Sequence, residues 1–244
     1  MKKFLSRAYL FSTKLFQTTS LMIAFIIVCI IFIAIVIYEN VILPPAYPAA
    51  FVITDVTSQS AAAAYVTPQI RKTCSLWWSF IPPQIKLDCD KNPSRVHRQE
   101  IKGLHSATSY QVVIVSGLNI WAGFVDPVNG HLEDQAYIPQ PFPILKTLSK
   151  GNDIDRNAQQ LLLGKVVNGD QLQADAVVEV VDKNNLFIST ETNGAGTFSL
   201  VLPGSWENEE LTVIVWSETG FVILPQPAAL FVNVPQTLRV VPYD

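Results

Sequence analysis

The chain has 244 residues, 49% of them hydrophobic and only 15% charged, with a formal net charge of -3. An ordinary soluble domain carries about 25% charged residues, so a disordered chain and a coiled coil are excluded, and a wholly soluble protein is not expected. With 17 basic residues against 20 acidic ones, the chain shows no basic footprint for nucleic acid.

The apolar excess gathers near the N-terminus. Residues 21–38 read LMIAFIIVCIIFIAIVIY, and no charge occurs between Lys14 and Glu39. At about 1.5 Å per residue that stretch spans roughly 36 Å as a helix, enough for a hydrocarbon core of about 30 Å. In lipid the backbone must satisfy its own hydrogen bonds, so a helix is expected despite the many β-branched residues. Lys2, Lys3, Arg7 and Lys14 precede the run with no acid among them, and the rest of the chain, 13 basic residues against 20 acidic, stands at -7. The expected topology is a single pass in the cell membrane: a cytoplasmic basic tail over 1–20, a transmembrane helix over 21–43, and the remainder extracytoplasmic. The rival is a cleaved signal peptide. The run is longer than a usual signal core, and Pro44, Pro45 and Pro48 crowd the small residues that would form a cleavage site.

Residues 44–50 form a Pro-rich stalk, stiffened because each proline fixes its own φ. Beyond it the sequence changes to short alternating runs broken by turn residues, an all-β pattern. Strands are expected at 51–56, 61–67, 74–80, 85–87, 96–101, 110–116 and 137–145. A polar Gly/Asn/Asp-rich linker over 148–158 follows, and then strands at 161–168, 176–182, 186–191, 196–202, 211–217, 229–234 and 238–241. About seven strands in each set suit two tandem β-sandwiches, 51–147 and 159–244.

Of three cysteines, Cys29 lies in the apolar run. Cys74 and Cys89 lie beyond it, either as a disulfide, which suits an exported domain and would be worth about 3 kcal/mol, or as two free thiols. No CxxC is present, and His97, His105 and His131 lack ligand spacing, so zinc is not expected.

Residues 51–67 (FVITDVTSQSAAAAYVT) and 96–116 (VHRQEIKGLHSATSYQVVIVS) resemble the A–B and E–F strands of a fibronectin type III domain. Tyr65 stands where that family usually has Trp. Gly103-Leu104 followed by Thr108 and Tyr110 matches its E–F signature, with Ser106 or Ala107 in place of the usual Pro. The resemblance implies an immunoglobulin-like sandwich in which strands C and F are neighbours and the Tyr110 hydroxyl ties back to upstream backbone. Residues 161–221 resemble a carboxypeptidase regulatory-like (transthyretin-like) sandwich, through Gly164, Val166, Ala176, Val178, Val180, Thr192, Gly196, Phe198, Leu200, Leu202-Pro203, Val213, Val215 and Gly220-Phe221. That family is accessory and non-catalytic, so the resemblance implies no catalytic residues. In the residues themselves, Asn193, Gly194 and Gly196 suit a tight turn, and Gly220 a second turn before Phe221.

Successive strand residues face opposite sides. On the third strand, Cys74, Leu76, Trp78 and Phe80 share one face and are expected in the core, as are Tyr110, Val112 and Ile114 on the sixth. Trp77, Val113 and Val115 then point outward. They form either an exposed apolar patch that marks an interface, or a patch covered by Trp121, Phe124 or another part of the long 117–143 segment. The candidate partner surface is Trp77, Val113, Val115, Trp121 and Phe124.

No GxSxG, HExxH, P-loop or GxGxxG motif occurs. Asp88/Asp90 and Asp153/Asp155 read as solvated turn acids, with a weak calcium site at the second pair as the alternative. His97 and His105 read as surface residues. No catalytic, cofactor-binding or metal-binding residue is expected, and no cofactor. The reading is a non-enzymatic, membrane-anchored extracytoplasmic module for binding, adhesion or structure, its partners the lipid bilayer and an unknown protein or glycan. Two alternatives are an accessory subunit of an envelope secretion or pilus-like complex, and a carbohydrate-binding surface protein that stacks sugars on Trp77 and Trp121.

Overall fold

The computed structural model describes residues 27, 30, 47–117, 119–124, 140–150, 160–206, 209–227 and 234–243. Ile27 and Ile30 are helical; the rest of the expected transmembrane run lies outside the described residues. No helix among the described residues is long and apolar enough to cross a membrane. The chain divides into two compact units, Met1–Pro45 and Ala46–Asp244, and every described strand lies in the second.

The first sandwich holds ten strands: β1 (Ala49–Thr54), β2 (Ser60–Arg71), β3 (Cys74–Phe80), β4 (Pro83–Cys89), β5 (Ser94–Lys102), β6 (Ser109–Ser116), β7 (Asn119–Trp121), β8 (Gly123–Phe124), β9 (Gln140–Pro141) and β10 (Leu145–Lys146). One sheet runs β1-β2-β5 and the other β10-β6-β3-β4, with β7 also paired to β6 and β8 paired to β9. The third and sixth expected strands are therefore neighbours, as the fibronectin type III resemblance implies. Tyr110 accepts a hydrogen bond on its hydroxyl from the His105 N–H at 2.8 Å, closing the corner at the start of β6, and donates one to Gln84. The core between the sheets includes Phe51, Tyr65, Trp77, Ile114 and Trp121.

The second sandwich holds β11 (Gln160–Asn168), β12 (Gln171–Leu172), β13 (Val177–Val181), β14 (Phe187–Glu191), β15 (Thr197–Leu202), β16 (Glu210–Trp216), β17 (Gly220–Pro227), β18 (Gln236–Arg239) and β19 (Val241–Pro242). Its sheets run β12-β11-β15, with β18 parallel to β11, and β14-β13-β16-β17-β19. Between them lie Leu162, Val178, Ile188, Phe198, Val213 and their neighbours. Two glycines are fixed by close approach. A Cβ on Gly164 would meet the Gln236 carbonyl oxygen at 2.6 Å and the Phe198 ring at 2.9 Å; on Gly220 it would meet the Val241 carbonyl oxygen at 2.1 Å. Gly220 closes the expected turn, where the Ser217 N–H donates to its carbonyl at 2.8 Å, and its lack of a Cβ also lets β19 dock. Gly196 does supply the expected positive φ.

The two sandwiches pack sheet on sheet. Ala61, Ala62, Ala63 and Ala64 are all fully buried although adjacent strand residues point to opposite faces. Ala61 and Ala63 belong to the first core; Ala64, with Val66 and Val96, packs on Val177 and Trp216 of the second sandwich. Alanine on both faces lets a sheet be approached closely from both sides. At one end of this seam the Asp55 N–H donates to the Phe187 carbonyl at 3.0 Å. Arg98 donates to Ser189 Oγ at 2.8 Å and to Asp55 Oδ2 at 2.9 Å. Thr54 Oγ1 lies 2.7 Å from Ser189 Oγ. The result is a four-sheet stack with two outermost faces.

Glu179 sits in the seam, on β13 opposite Ser189 and Ile214. It is fully buried; Trp216 Nε1 donates to its Oε2 at 3.4 Å, and its Oε1 has no hydrogen-bond partner among the described residues. Burial, aided by the nearby Asp55 charge and against the Trp216 hydrogen bond, raises its pKa to about 8.

Candidate interaction surface

The outer face of the β10-β6-β3-β4 sheet is apolar across four strands. Opposite residues in an antiparallel pair share a face, so register alone lays it out. Val115 of β6 stands between Ile120 of β7 and Cys74 of β3; Val113 stands beside Leu76, and Leu76 beside Leu87 of β4. Trp78 stands beside Ile85, and Phe80 beside Pro83. Phe80 is 74% exposed, Ile85 73%, Leu87 61% and Ile120 70%, while Leu76, Trp78, Val113 and Val115 are half-buried. Gln111 stands opposite Trp78, and Ser109, two residues before it on β6, stands opposite Lys146 of β10, so the polar residues of this face gather at one margin. Cys74 and Cys89 face each other on the same side and form a disulfide, which ties edge strand β4 to β3.

The expected facing of β3 is reversed. Trp77 is fully buried, with Ser75 and Ser79 on its side, and Leu76, Trp78 and Phe80 point outward. The physical reason is volume. The inward row alternates small Ser with one large Trp, so a single indole fills the space between the sheets while the serines leave room for it. Ser79 also donates to the Pro82 carbonyl at 2.5 Å, and Thr73, just before β3, anchors a buried polar cluster. Trp121 and Phe124 are buried in the same core as Trp77 and do not cover the face. Of the five candidate residues, Val113 and Val115 lie on the apolar face and Trp77, Trp121 and Phe124 do not. The residues missed were Leu76, Trp78, Phe80, Ile85, Leu87 and Ile120. The alternation of Ile85 and Leu87 with Gln84, Lys86 and Asp88 was the available signal for the β4 part.

Behind the disulfide lies the polar cluster. Asp90 follows Cys89, and its carboxylate accepts hydrogen bonds from the Thr73 N–H and hydroxyl, both at 2.7 Å, and from Gln99 Nε2 at 2.8 Å. His97 Nδ1 lies 2.8 Å from the same carboxylate, and Nε2 lies 2.9 Å from Thr67 Oγ1. Burial alone would raise Asp90, but the His97, Thr73 and Gln99 hydrogen bonds outweigh it and hold the carboxyl below its ordinary range. Asp90 is therefore no free turn acid, and His97 is buried rather than at the surface, because β5 turns His97, Gln99 and Ile101 inward together. His105 is exposed as expected.

Carboxylate, imidazole and hydroxyl follow one another here as in a nucleophilic triad. The hydroxyl is shut in, however. Thr67 is 1% exposed, and its Oγ1 donates to the carbonyls of Gln69 at 2.8 Å and Arg95 at 3.3 Å. The cluster has the chemistry of a lock joining β2, β3, β4 and β5. Beside it, Asp88, Asp90, Asp175, Glu191 and Glu218 line a cleft with Lys91 and Arg98. Among the described residues, no group of three or more His, Cys, Asp or Glu is arranged to hold a metal ion. The Asp153/Asp155 pair lies outside the described residues.

No family model matches the chain, and no curated protein matches it. Three solved structures to which it is similar all hold fibronectin type III domains. A two-domain segment of chicken tenascin is 15% identical, with 74% of this chain and 99% of that one covered and a TM-score of 0.27. The FN1–FN3 domains of chicken CNTN1 are 11% identical over 80% and 68% of the two chains, with a TM-score of 0.29. The central fibronectin-III array of RIM-binding protein is 14% identical over 74% and 63%, with a TM-score of 0.26. All three scores lie below 0.5, so strand order, not likeness, defines the fold.

Proposed function

We propose that the chain is a membrane-anchored, extracytoplasmic, non-catalytic binding module that engages a protein through the outer face of its β10-β6-β3-β4 sheet. The second sandwich is a transthyretin-like accessory module that braces the first. The observation that carries this reading is the apolar face itself. Large contiguous apolar patches are rare on monomers and mark contact sites, and a flat aromatic and aliphatic sheet matches the core of a protein interface rather than its polar rim. Trp77 and Trp121 are buried in the core and offer no face on which a sugar could stack. Co-purification from detergent tests the reading, comparing the full chain, residues 44–244 alone, and the full chain with Ile85→Lys and Leu87→Lys. A bound protein should persist with 44–244 and be lost with the double variant. Loss with 44–244 and retention with the double variant would place binding in the membrane segment and sink the face.

A further inference from the structure

The apolar face, read above as a binding surface, permits a narrower statement that rests on that reading. We propose that its occupant is a second copy of this chain, the two copies packing their β4-β3-β6-β7 faces against each other about a two-fold axis.

Three observations carry it. The first is area. Phe80, Ile85, Leu87 and Ile120 are each more than 60% exposed, and together they leave on the order of 500 Å² of side chain in water. With the half-buried Leu76, Trp78, Val113 and Val115 the face approaches the roughly 800 Å² that one partner contributes to a standard stable interface. The second is charge. The residues beyond Glu39 are net acidic, so two copies repel over most of their surface. The rows from Ile120 across Val115, Val113, Leu76 and Trp78 to Ile85 and Leu87 carry no Asp, Glu, Lys or Arg, because Lys86 and Asp88 alternate to the other side of β4 and the one outward lysine, Lys146 of β10, stands beside Ser109 at the margin. A face without charge that is identical on both partners is self-complementary under a two-fold axis. The third is precedent within the chain. The opposite outer face of the same sandwich, carrying Ala64, Val66 and Val96, is already closed by sheet-on-sheet packing against Val177 and Trp216. Two-fold pairing repeats that geometry at the other end of the stack, with sheets about 10 Å apart and apolar rows interleaved.

The test is the mass of the full chain in detergent, with micelle mass matched out in sedimentation equilibrium. Three forms are compared: wild type, Ile85→Lys/Leu87→Lys, and Ile85→Glu/Leu87→Glu. Both positions are exposed, so the variants keep the core, and an unchanged melting temperature verifies this. Wild type should run at twice the chain mass. Each variant should run at the single mass, and an equimolar mixture of the two should return to the double mass by opposite charge. A wild type still monomeric at about 100 µM, or a dimer that both variants leave intact, overturns the proposal. A Leu87→Cys variant labelled with an impermeant maleimide separates this failure from failure of the wider reading. If the wild type is monomeric but labelling is protected in native membranes and free after purification, the second copy is overturned and a different protein occupies the face. Equal labelling in both overturns both readings.

Discussion

Glu179 gives the seam between the sandwiches a pH dependence of defined sign. Its folded pKa is raised from 4.5 to about 8. Between those values the unfolded chain has lost the proton and the folded chain keeps it, so stability falls as pH rises and levels off above about 8. At about 1.4 kcal/mol per pKa unit, the fall is on the order of 4–5 kcal/mol across the window and roughly 3 kcal/mol by pH 7. For a unit of this size that corresponds to a drop of roughly 10–15 °C in melting temperature between pH 5 and pH 8. Glu191 adds to the same descending limb, since burial raises it against the opposing Arg98 charge. Glu179→Gln removes the titration while keeping an acceptor for Trp216 Nε1. The expected result, by thermal circular dichroism from pH 4.5 to 9, is a variant whose slope is mostly lost and which is more stable than wild type at pH 8. At pH 5 it should be no more stable than wild type, because the amide brings a buried N–H₂ that needs a partner. A flat wild-type profile, or a variant with the wild-type slope, would refute the burial argument.

The inward facing of Trp77 predicts that Trp77→Ala costs about 3–5 kcal/mol in denaturant unfolding, while Trp78→Ala costs under about 1 kcal/mol; the opposite order would restore the facing expected from hydrophobicity. For Asp90, whose folded pKa is lowered, stability is present above the unfolded carboxylate value near 4 and is lost as pH falls through the folded one. Asp90→Asn should therefore lose about 2–4 kcal/mol at pH 7 and show a shallower acid limb than wild type in urea titrations at pH 2–6. Gly164→Ala places a methyl 2.6 Å from the Gln236 carbonyl and should cost about 1–3 kcal/mol. Amide exchange should then rise in β18 before the rest of its sheet.

Strand positions were legible because turn residues punctuate them. Cys74–Phe80 was placed to the residue, and most others fall within a few residues of their observed ends. β17 was missed because Pro225 and Pro227 argue against a strand. They stand opposite Thr212 and Glu210, two residues apart, so their nitrogens face the same way. Past Phe221 no strand pairs that side of β17 among the described residues, and an open edge is where proline is tolerated. The facing of β3 was not legible, because alternation identifies a core only when the other side is wet. Here both rows of β3 contain Trp, and the more apolar row is the outer one. The His97 cluster was hidden for a related reason. The inward row of β5 sets His97 and Gln99 beside Ile101, the two polar residues made acceptable inside by partners that come from Thr67, Thr73 and Asp90, up to 30 positions away.

The two ends of the four-sheet stack show that the outward apolar row is a property of one face and not of the chain's general composition. On the far sheet, the exposed residues of β11, β15 and β18 are Lys165, Thr197, Ser199, Thr237 and Arg239, set among half-buried Leu161, Leu163 and Val201, with Leu172 of β12 the one exposed large hydrophobic among the described residues of that sheet. On the near sheet the exposed residues include Phe80, Ile85, Leu87 and Ile120, with Ser109, Gln111 and Lys146 along one margin. A sequence that ends one sheet with hydroxyls and cations has no physical need to end the other with aromatic and aliphatic side chains, because exposed apolar surface adds nothing to the stability of an isolated sandwich and promotes association. Edge strand β4 sharpens the point. It bears half of these exposed hydrophobic side chains, pairs with a neighbour on one side only, and is fastened by the Cys74–Cys89 bond and by the Asp90 cluster just beyond it. Two separate devices thus hold in register the strand that the core needs least. Such fixing is what a preformed contact surface requires, since a strand already ordered loses less entropy on binding.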